Sequence, residues 1–442
     1  MNRYDKYKSV SLPWVNEIPE HWEIIRNKNI FMEKKKSVGS QFEKYKLLSL
    51  SLKGVIERNL EDGGKFPASF EKYTIVNPKD LVFCLFDIDE TPRTIGISKI
   101  EGMITSAYNI MAVKKDCAKY MYYFYLYLDF IKGLKPYYSS LRKTVNIDTF
   151  NSFKILIPPI NEQEQIANYL DWKINEIDRL IQVEKEKIKE LENLKEINFN
   201  KIIDSSQKNK SIKIKFFAKL YGRIGWQGLN SSEYGDKGVY LITGTDFYNG
   251  TIDFSKCVRV PKFRWEQNDK IQIKNGDLLI TKDGTVGKSA IVTNLVEKAT
   301  LNSGIMKIDF FRNDIVTKEY LFYILKSNIF KSWFIDLNAG FATIIHLYQK
   351  DFYNFSFNYP EMQEQEIIVF KIKELESVYN SQIAKIVESI KSLELLKQSL
   401  ISEVVTGKID VRNVVIPEYE KITILGDEAQ ELDEVEEIED GD

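Results

Sequence analysis

Few residues in this 442-residue sequence have the type and spacing that chemistry at a protein site requires. The run Gly284-Thr-Val-Gly-Lys-Ser289 resembles a phosphate-binding loop, but that motif needs a glycine five residues before Gly287, where Lys282 stands. Histidine-based acid–base catalysis or metal binding would depend on His21 and His346 alone. His21 lies in a Pro-Glu-His-Trp run, where we expect a structural role. We therefore predict no cofactor.

Cysteine and proline motifs add no chemistry. Cys84, Cys117 and Cys257 lie far apart and show no zinc-binding spacing, so we expect reduced core residues. An adenine methyltransferase would carry an Asn/Asp-Pro-Pro-Tyr/Phe motif, and the Pro158-Pro159 pair lacks those flanks. The sequence therefore predicts a protein that is not an enzyme.

The N-terminal and apolar segments predict a cytoplasmic location. The start is charged and is not followed by an apolar stretch of the signal-peptide type. The most apolar run, Tyr120 to Ile131, contains Asp129 and falls short of the roughly 20 residues that cross a bilayer. We expect no membrane span.

Charge alternates along the chain. Residues 1–158 hold 25 basic and 18 acidic side chains, and residues 210–357 hold 21 and 14, whereas the stretches after each block are mildly acidic. From Glu418 to Asp442 there are 12 acidic residues and one basic residue, so we expect a disordered acidic tail. Two basic blocks are typical of a protein that contacts phosphate, although a solvated lysine-rich surface is the alternative.

An internal repeat organises these blocks. Phe150, Pro158 and Gln163 recur 202 residues later as Phe352, Pro360 and Gln365, and a Leu-Glu-x-Leu-Lys run recurs at the same offset. A match without a gap over some 48 residues indicates a tandem duplication of a domain followed by a helix.

Two long helices follow from the absence of helix breakers. Neither Gly nor Pro occurs from Glu162 to Asp204 or from Glu361 to Thr406. Both segments carry narrow apolar stripes at three-and-four spacing, which bury themselves against another helix. We predict that the two helices pair as an antiparallel coiled coil with pseudo-twofold symmetry.

The globular blocks are expected to be mixed α/β. Turns at 77–80 and 274–277 open apolar strands, and 282–287 is predicted to be a hairpin before the next strand. The segments 120–128 and 320–325 are predicted to be short helices packed on the sheet, with the first contributing aromatic core residues rather than a base-stacking platform. The fold class is α+β.

Four segments make a family recognisable. Trp14–Glu23, with the sequence Trp-Val-Asn-Glu-Ile-Pro-Glu-His-Trp-Glu, and Pro158–Ile166, with Pro-Pro-Ile-Asn-Glu-Gln-Glu-Gln-Ile, resemble motifs of the specificity subunits of Type I restriction-modification systems. Asp277–Lys288 is similar to a strand-hairpin of their recognition domains, and Ser402–Asp410 to the end of their second spacer helix. The resemblance spans residues 7–412. Two departures are Tyr-Pro at 359–360 in place of Pro-Pro, and the acidic tail.

The resemblance implies a division of labour along the chain. Two target recognition domains would each read one half of a split DNA sequence, and the helices would set the unread gap between the halves. The helices would also dock two modification subunits, and through them the restriction subunits. The implied segments are 1–158 and 209–358 for recognition, 159–208 and 359–408 for the spacer helices, and 409–442 for the tail.

Candidate DNA contacts are basic or polar residues in loops. The loops 139–146 and 338–346 occupy equivalent places in the repeat, just before Phe150 and Phe352. Arginine can read guanine bidentately, whereas lysine more often neutralises phosphate. For each cluster a solvated surface is the alternative. The candidates are Lys34, Lys35, Lys36, Arg142, Lys143, Arg223, Trp226, Gln227, Arg259, Lys262, Arg264, Lys282 and Thr343.

Two other classes of protein are disfavoured. A self-sufficient nuclease or methyltransferase would need motifs that the sequence lacks. A coiled-coil adaptor without DNA affinity is disfavoured by the duplicated basic domains, and a DNA-binding protein outside restriction-modification is the alternative function.

Overall fold

The computed structural model describes residues 2–59, 69–139, 143–205, 210–223, 228–338 and 346–422. The chain divides into two compact units, one formed by residues 1–186 and 386–442 and the other by residues 187–385. Within the described residues, no helix is both long and apolar enough to span a membrane.

Strands and short helices of the first unit alternate before a long helix. In chain order they are β1 (Tyr7–Leu12), β2 (Val15–Pro19), β3 (Glu23–Arg26), α1 (Asn27–Ile30), β4 (Phe31–Lys34), β5 (Leu48–Ser51), β6 (Gly54–Glu57), β7 (Thr74–Val76), β8 (Leu81–Phe83), β9 (Ile95–Ile97), β10 (Gly102–Ile104), β11 (Asn109–Val113), α2 (Ala118–Phe130), α3 (Ile147–Ser152), β12 (Lys154–Ile157) and α4 (Ile160–Ser205).

The second unit repeats this alternation. Its elements are β13 (Ser211–Lys213), β14 (Ala218–Gly222), β15 (Val239–Ile242), β16 (Phe247–Tyr248), β17 (Thr251–Ile252), β18 (Arg259–Val260), α5 (Lys262–Glu266), β19 (Gln272–Ile273), β20 (Leu278–Thr281), β21 (Ser289–Ile291), β22 (Ala299–Leu301), β23 (Ile305–Phe310), α6 (Lys318–Lys326), α7 (Asn328–Leu337), α8 (Gln349–Phe352), β24 (Ser356–Asn358) and α9 (Met362–Val405). The end of α4 belongs to this unit, and the end of α9 belongs to the first.

Equivalent sheets form in the two units. The first contains an antiparallel sheet in the order β4-β11-β8-β9, and the second contains β14-β23-β20-β21. A two-stranded ladder joins the ends of each domain, β3 with β12 and β13 with β24. The second unit has a further sheet, β18-β15-β22-β19, in which only the β15–β22 pair is parallel. The predicted duplication and α+β class are confirmed.

The aromatic residues of α2 form core, as predicted. Tyr120, Phe124 and Leu128 are buried, because the helix packs against the sheet through β9. Tyr125 contacts Phe83 edge to face, and its hydroxyl donates a 2.7 Å hydrogen bond to the Asn27 side chain. The predicted helix at 320–325 is α6, and the predicted hairpin joins β20 to β21. The three cysteines are free, but Cys117 and Cys257 are only half-buried.

A repeated glutamine ties the start of each long helix to its own domain. The side-chain oxygen of Gln163 accepts from the Cys117 amide at 3.0 Å, and that of Gln365 accepts from the Thr317 amide at 2.9 Å. Each side-chain amide also donates to the carbonyl of the proline five residues earlier, at 2.9 Å in both units. The sequence repeat is therefore a repeat of hydrogen bonding.

We expect Gln365→Leu to destabilise the second unit by about 2–4 kcal/mol, because the substitution removes the side-chain partner of the buried Pro360 carbonyl and of the partly buried Thr317 amide and Ile315 carbonyl. Hydrogen exchange of residues in the second unit measures the loss. Gln363→Leu, on an exposed position of the same turn, is the matched control. Equal exchange in both variants would contradict this role.

Glu162 connects the N-terminal motif to the first long helix, and this residue is 5% exposed. Its carboxylate accepts from the Tyr4 hydroxyl at 2.6 Å and from the Trp22 indole at 2.9 Å, and it contacts His21 Nε2 at 2.7 Å. His21 therefore has the structural contact that the sequence predicted. We call these four residues the Glu162 cluster.

Within each unit α4 and α9 contact each other, and in the second unit these contacts run in antiparallel order. In the first unit, Lys397 forms a 2.6 Å ion pair with Asp178. In the second unit, Asn198 donates to Tyr379 and Lys195 donates to Asn380, so residue numbers rise along α4 as they fall along α9. A continuous coiled coil over both full lengths stays a prediction.

The prediction of a disordered tail from residue 409 is wrong for residues 409–422. Val411 is buried in the first core, and Val414 packs against the same core. The Gln165 side chain donates to the carbonyls of Val411 and Val414, and Asn175 bonds the backbone at 420 and 422. This segment is ordered because apolar side chains lie among its acidic ones and pack against the core. Residues 423–442 lie outside the described residues.

Candidate nucleic-acid interface

The two loops that the sequence singled out end against equivalent hairpins. The Val145 amide donates to the Leu85 carbonyl at 2.8 Å, and the Leu347 amide donates to the Lys282 carbonyl at 3.0 Å. These donors are 202 residues apart in the sequence, so in both units the residue at the end of the loop is hydrogen-bonded to the equivalent hairpin. We call each pairing a hairpin–loop edge. Arg142 and Thr343, which were predicted contacts in these loops, lie outside the described residues.

In the first hairpin–loop edge, the predicted contact Lys143 forms ion pairs with two carboxylates. Lys143 has a left-handed backbone, with φ of +48°, and its Nζ lies 3.0 Å from Glu90 and 3.5 Å from Asp89. Asp89 also accepts from the Tyr138 hydroxyl at 2.9 Å. This hydrogen bond and the Lys143 charge lower the pKa of Asp89, and the bond to Glu90 raises the pKa of Lys143. Contact with phosphate would require Lys143 to exchange these partners.

The Lys34–Lys36 run divides into one structural and two exposed side chains. Lys34, at the end of β4, bonds both oxygens of the buried Asp80 at 2.7 and 2.8 Å. Lys35 is exposed and lies 3.1 Å from Glu33, and Lys36 is exposed. Lys34 is therefore a poor candidate for DNA contact, because leaving Asp80 unpaired in the interior would be costly.

Arg223 must be corrected from a candidate DNA contact to a structural residue. It is 4% exposed, and its guanidinium donates to the Leu301 carbonyl at 2.9 Å and to the Thr300 hydroxyl at 3.0 Å. Burial lowers the pKa of this guanidinium. An isolated arginine in a loop sequence gives no sign that the fold encloses it. Trp226 and Gln227, predicted beside it, lie outside the described residues.

Arg259 and Arg264 are already engaged in two-pronged ion pairs. Arg259 holds both oxygens of Glu297 at 2.8 Å and lies 4.0 Å from the centre of the Tyr240 ring. Arg264 holds both oxygens of Glu233 at 2.7 Å. Each arginine lowers the pKa of its carboxylate partner through these hydrogen bonds. Because guanine needs the same two-pronged donor, each arginine would have to leave its carboxylate to read a base.

Lys262 and Lys282 differ in their surroundings. Lys262 is exposed and pairs with Glu266, one turn along α5, at 2.7 Å. Lys282 begins the hairpin of the second hairpin–loop edge, is half-buried, and has no ion pair among the described residues. Among the described candidates, Lys36 and Lys282 are the two whose charge has no ion-pair partner in the described part of the fold.

Two aromatic residues near Lys282 in the second hairpin–loop edge were not among the predicted DNA contacts, although His346 ends the candidate loop 338–346. His346 contacts Asp283 of the hairpin and packs on Tyr348, with 4.5 Å between ring centres. Tyr348 is more than half exposed, and Lys350 lies 5.7 Å from its ring. No spacing rule marks these residues, because the hairpin and the loop are about 60 positions apart in the sequence.

Comparison with known proteins identifies the two halves of the chain. The family model described as Type I restriction modification DNA specificity domain matches residues 19–193 and 225–392. The Type I restriction enzyme MjaVIII specificity subunit of Methanocaldococcus jannaschii is 24% identical over 433 residues, which cover 90% of this chain and 95% of that protein. A solved structure concerned with complex assembly and conformational transition of the type I R-M system contains a similar chain, with a TM-score of 0.61, 12% identity, and coverage of 89% of this chain and 99% of that one. Because the family model matches most of the sequence, once in each half, this chain belongs to the Type I restriction modification DNA specificity domain family.

Proposed function

We propose that this chain is the DNA sequence-recognition subunit of a Type I restriction-modification complex and has no catalytic site of its own. One observation carries the proposal: two units with the same sheet order each place a loop against a hairpin at the same position of the repeat. Each unit reads one half of a bipartite target. The chain docks two modification subunits, which supply the methyltransferase activity, and the restriction subunits bind through them.

The two hairpin–loop edges are the proposed DNA-reading surfaces. Lys282 lies in the second of these edges, and Arg142 directly precedes Lys143 in the sequence of the first loop; we propose both as contacts to base or phosphate. Lys35, Lys36 and Lys262 are exposed and suit phosphate, because a lysine on a flexible stem neutralises charge without reading sequence. Most of the affinity would come from such contacts, so binding should weaken steeply with salt.

Methylation by a reconstituted complex tests the proposal. The chain mixed with purified modification subunits and S-adenosylmethionine should methylate adenine at a split DNA sequence, whereas the chain alone and the modification subunits alone should not. Sequencing of methylated genomic DNA from cells with and without the chain identifies the target. Methyl transfer by the chain alone, or no change in the methylated sites, would overturn the proposal.

We expect the lengths of α4 and α9 to determine the unread gap in the target. Removing one heptad from each helix shortens each by about 10 Å, which corresponds to about three base pairs of B-form DNA. The gap in the methylated sequence should shorten by about that number. Removing a heptad from α4 alone is the control, because it destroys the match between the helices. A folded double deletion with the parental gap would contradict the spacer role.

We expect Lys282→Ala to weaken DNA binding at every sequence and to reduce the salt dependence by about one counterion if Lys282 contacts phosphate. If Lys282 reads a base, the loss is about 1–3 kcal/mol and is confined to one position of the target. Titrations on matched and mismatched duplexes at two salt concentrations distinguish these results. Lys256→Ala is the control, because Lys256 is exposed in the same unit, pairs with Asp253 at 3.4 Å and is not a predicted contact, and it should change neither quantity. Unchanged affinity and salt slope would remove Lys282 from the interface.

A further inference from the structure

A groove of about 660 Å³ lies within the second unit, between α7 and the hairpin that joins β20 to β21. Phe330, Phe334 and Ile335 form one wall, and Val286 and Gly287 of the hairpin form the other. We call it the α7 groove. The first unit has turns and a single-turn 3-10 helix, Lys135–Tyr137, where the second has α7.

The walls of the α7 groove are formed before anything binds. Gly287 has φ of +86°, and a Cβ there would come within 2.9 Å of the Phe330 ring, so the hairpin lies directly on α7. The Gly287 amide donates to the Thr281 carbonyl at 3.0 Å, and the Thr281 hydroxyl donates to the Thr285 carbonyl at 2.6 Å. A preformed groove loses little conformational entropy on binding.

Apolar surface is exposed along this groove. Phe330 is buried against Phe355, Phe334 stacks on Phe330 with ring centres 6.1 Å apart, and Ile335 is left 68% exposed. Isolated exposed apolar side chains are normal on soluble proteins, but a concave apolar surface marks a binding site. DNA is a poor occupant, because its backbone is recognised by polar and cationic groups rather than by an apolar floor.

Lysines surround the apolar floor. Lys288 is exposed and forms no ion pair among the described residues. Lys326 and Lys331 also line the groove, and they pair with Glu376 at 2.9 Å and Glu196 at 2.6 Å. Because Lys326 and Lys331 are already paired, the uncompensated charge at the rim of the groove is that of Lys288. An apolar floor beside this charge is complementary to a protein segment in which an aliphatic or aromatic side chain lies next to a carboxylate.

We infer that the α7 groove receives such an acidic, apolar-anchored segment from one of the two modification subunits. The inference rests on the proposed function and goes beyond it, because the chain then holds its two modification subunits by unequal contacts. The subunit beside the second unit gains an anchor on α7, and the described residues after α2 provide no equivalent helix for the other.

Native mass spectrometry of the full chain with purified modification subunits tests the inference. At a concentration where the wild-type chain carries two modification subunits, Ile335→Glu should carry one, with the second bound about tenfold more weakly. Val296→Glu is the matched control, because Val296 is 87% exposed in the same unit and outside the groove. Lys288→Gln should weaken the binding of the second modification subunit less than Ile335→Glu does, and this smaller loss should disappear at high salt.

The possible results distinguish failure of the groove inference from failure of the proposed function. Equal loading of Ile335→Glu and wild-type chains would overturn the groove inference and leave the proposed function standing. Reduced DNA affinity of the isolated Ile335→Glu chain, with normal loading, would also overturn it and assign the groove to DNA. Failure of the wild-type chain to bind any modification subunit would overturn the proposed function itself. Far-ultraviolet circular dichroism of the exposed-site variants verifies that they are folded.

Discussion

Replacing residues 210–357 with the equivalent block of a relative should change one half of the methylated target completely and leave the other half unchanged. Both ends of this block lie in one ladder, because β13 begins at Ser211 and pairs with β24, which ends at Asn358. The two ends of the block therefore lie next to each other in the fold, and a replacement block can be joined at both ends without moving the rest of the chain. Each unit also has its own hydrophobic core, so the block carries most of what it needs to fold.

The donor block must preserve its contacts with the long helix. Phe199 and Ile203 of α4 belong to the same core as Phe217 and Ile324 of the block, so apolar residues are needed at those places. The reciprocal replacement of residues 1–158 should change the other half of the target. Methylome sequencing of each chimaera measures the result. A chimaera that folds and changes both halves, or neither, would refute the assignment of one half-site to each unit.

Replacing Glu162 with alanine should lower the stability of the first unit by about 3–5 kcal/mol. The carboxylate is almost fully buried, and three side chains of the N-terminal segment depend on it. Removing it leaves the Tyr4 hydroxyl and the Trp22 indole without their acceptor and opens a cavity beside the buried Trp22 ring. A buried polar group that loses its partner incurs the full cost of its desolvation.

Glu164→Ala is the control, because Glu164 is exposed on the same turn of α4. Urea unfolding, followed by hydrogen exchange in residues 2–59 and 143–186, measures the first unit without averaging over the second. Loss of the N-terminal protection in Glu162→Ala alone is the expected result. Equal stability of the two variants would show that the Glu162 cluster contributes little.

Much of the fold could be predicted because it depends on local rules and on the repeat. The long helices follow from uninterrupted stretches without Gly or Pro, and their observed bounds, Ile160–Ser205 and Met362–Val405, are within a few residues of the prediction. The hairpin after β20 follows from turn residues between apolar runs. The 202-residue offset also locates the loops that meet equivalent hairpins.

The candidate interface was harder to predict, because charge counted along the chain does not show which charges are paired. Lys143 meets Glu90 across 53 positions, and Arg259 meets Glu297 across 38. Arg223 is enclosed by residues near Thr300, about 80 positions away. These partners are acidic or neutral residues, and no motif or spacing connects them with a particular cation.

The duplication, the two long helices, the mixed domains and the family can all be predicted from the amino-acid sequence, since each is a property of residues near one another or of a fixed repeat. The folded chain was needed to show which cations have carboxylate partners, that Glu162 joins the N-terminal motif to α4, that residues 409–422 lie along that helix, and that α7 and a hairpin form a groove. Ion pairs, buried hydrogen bonds and concave surfaces form between segments far apart in the chain, and their energies depend on distances that only the folded chain specifies.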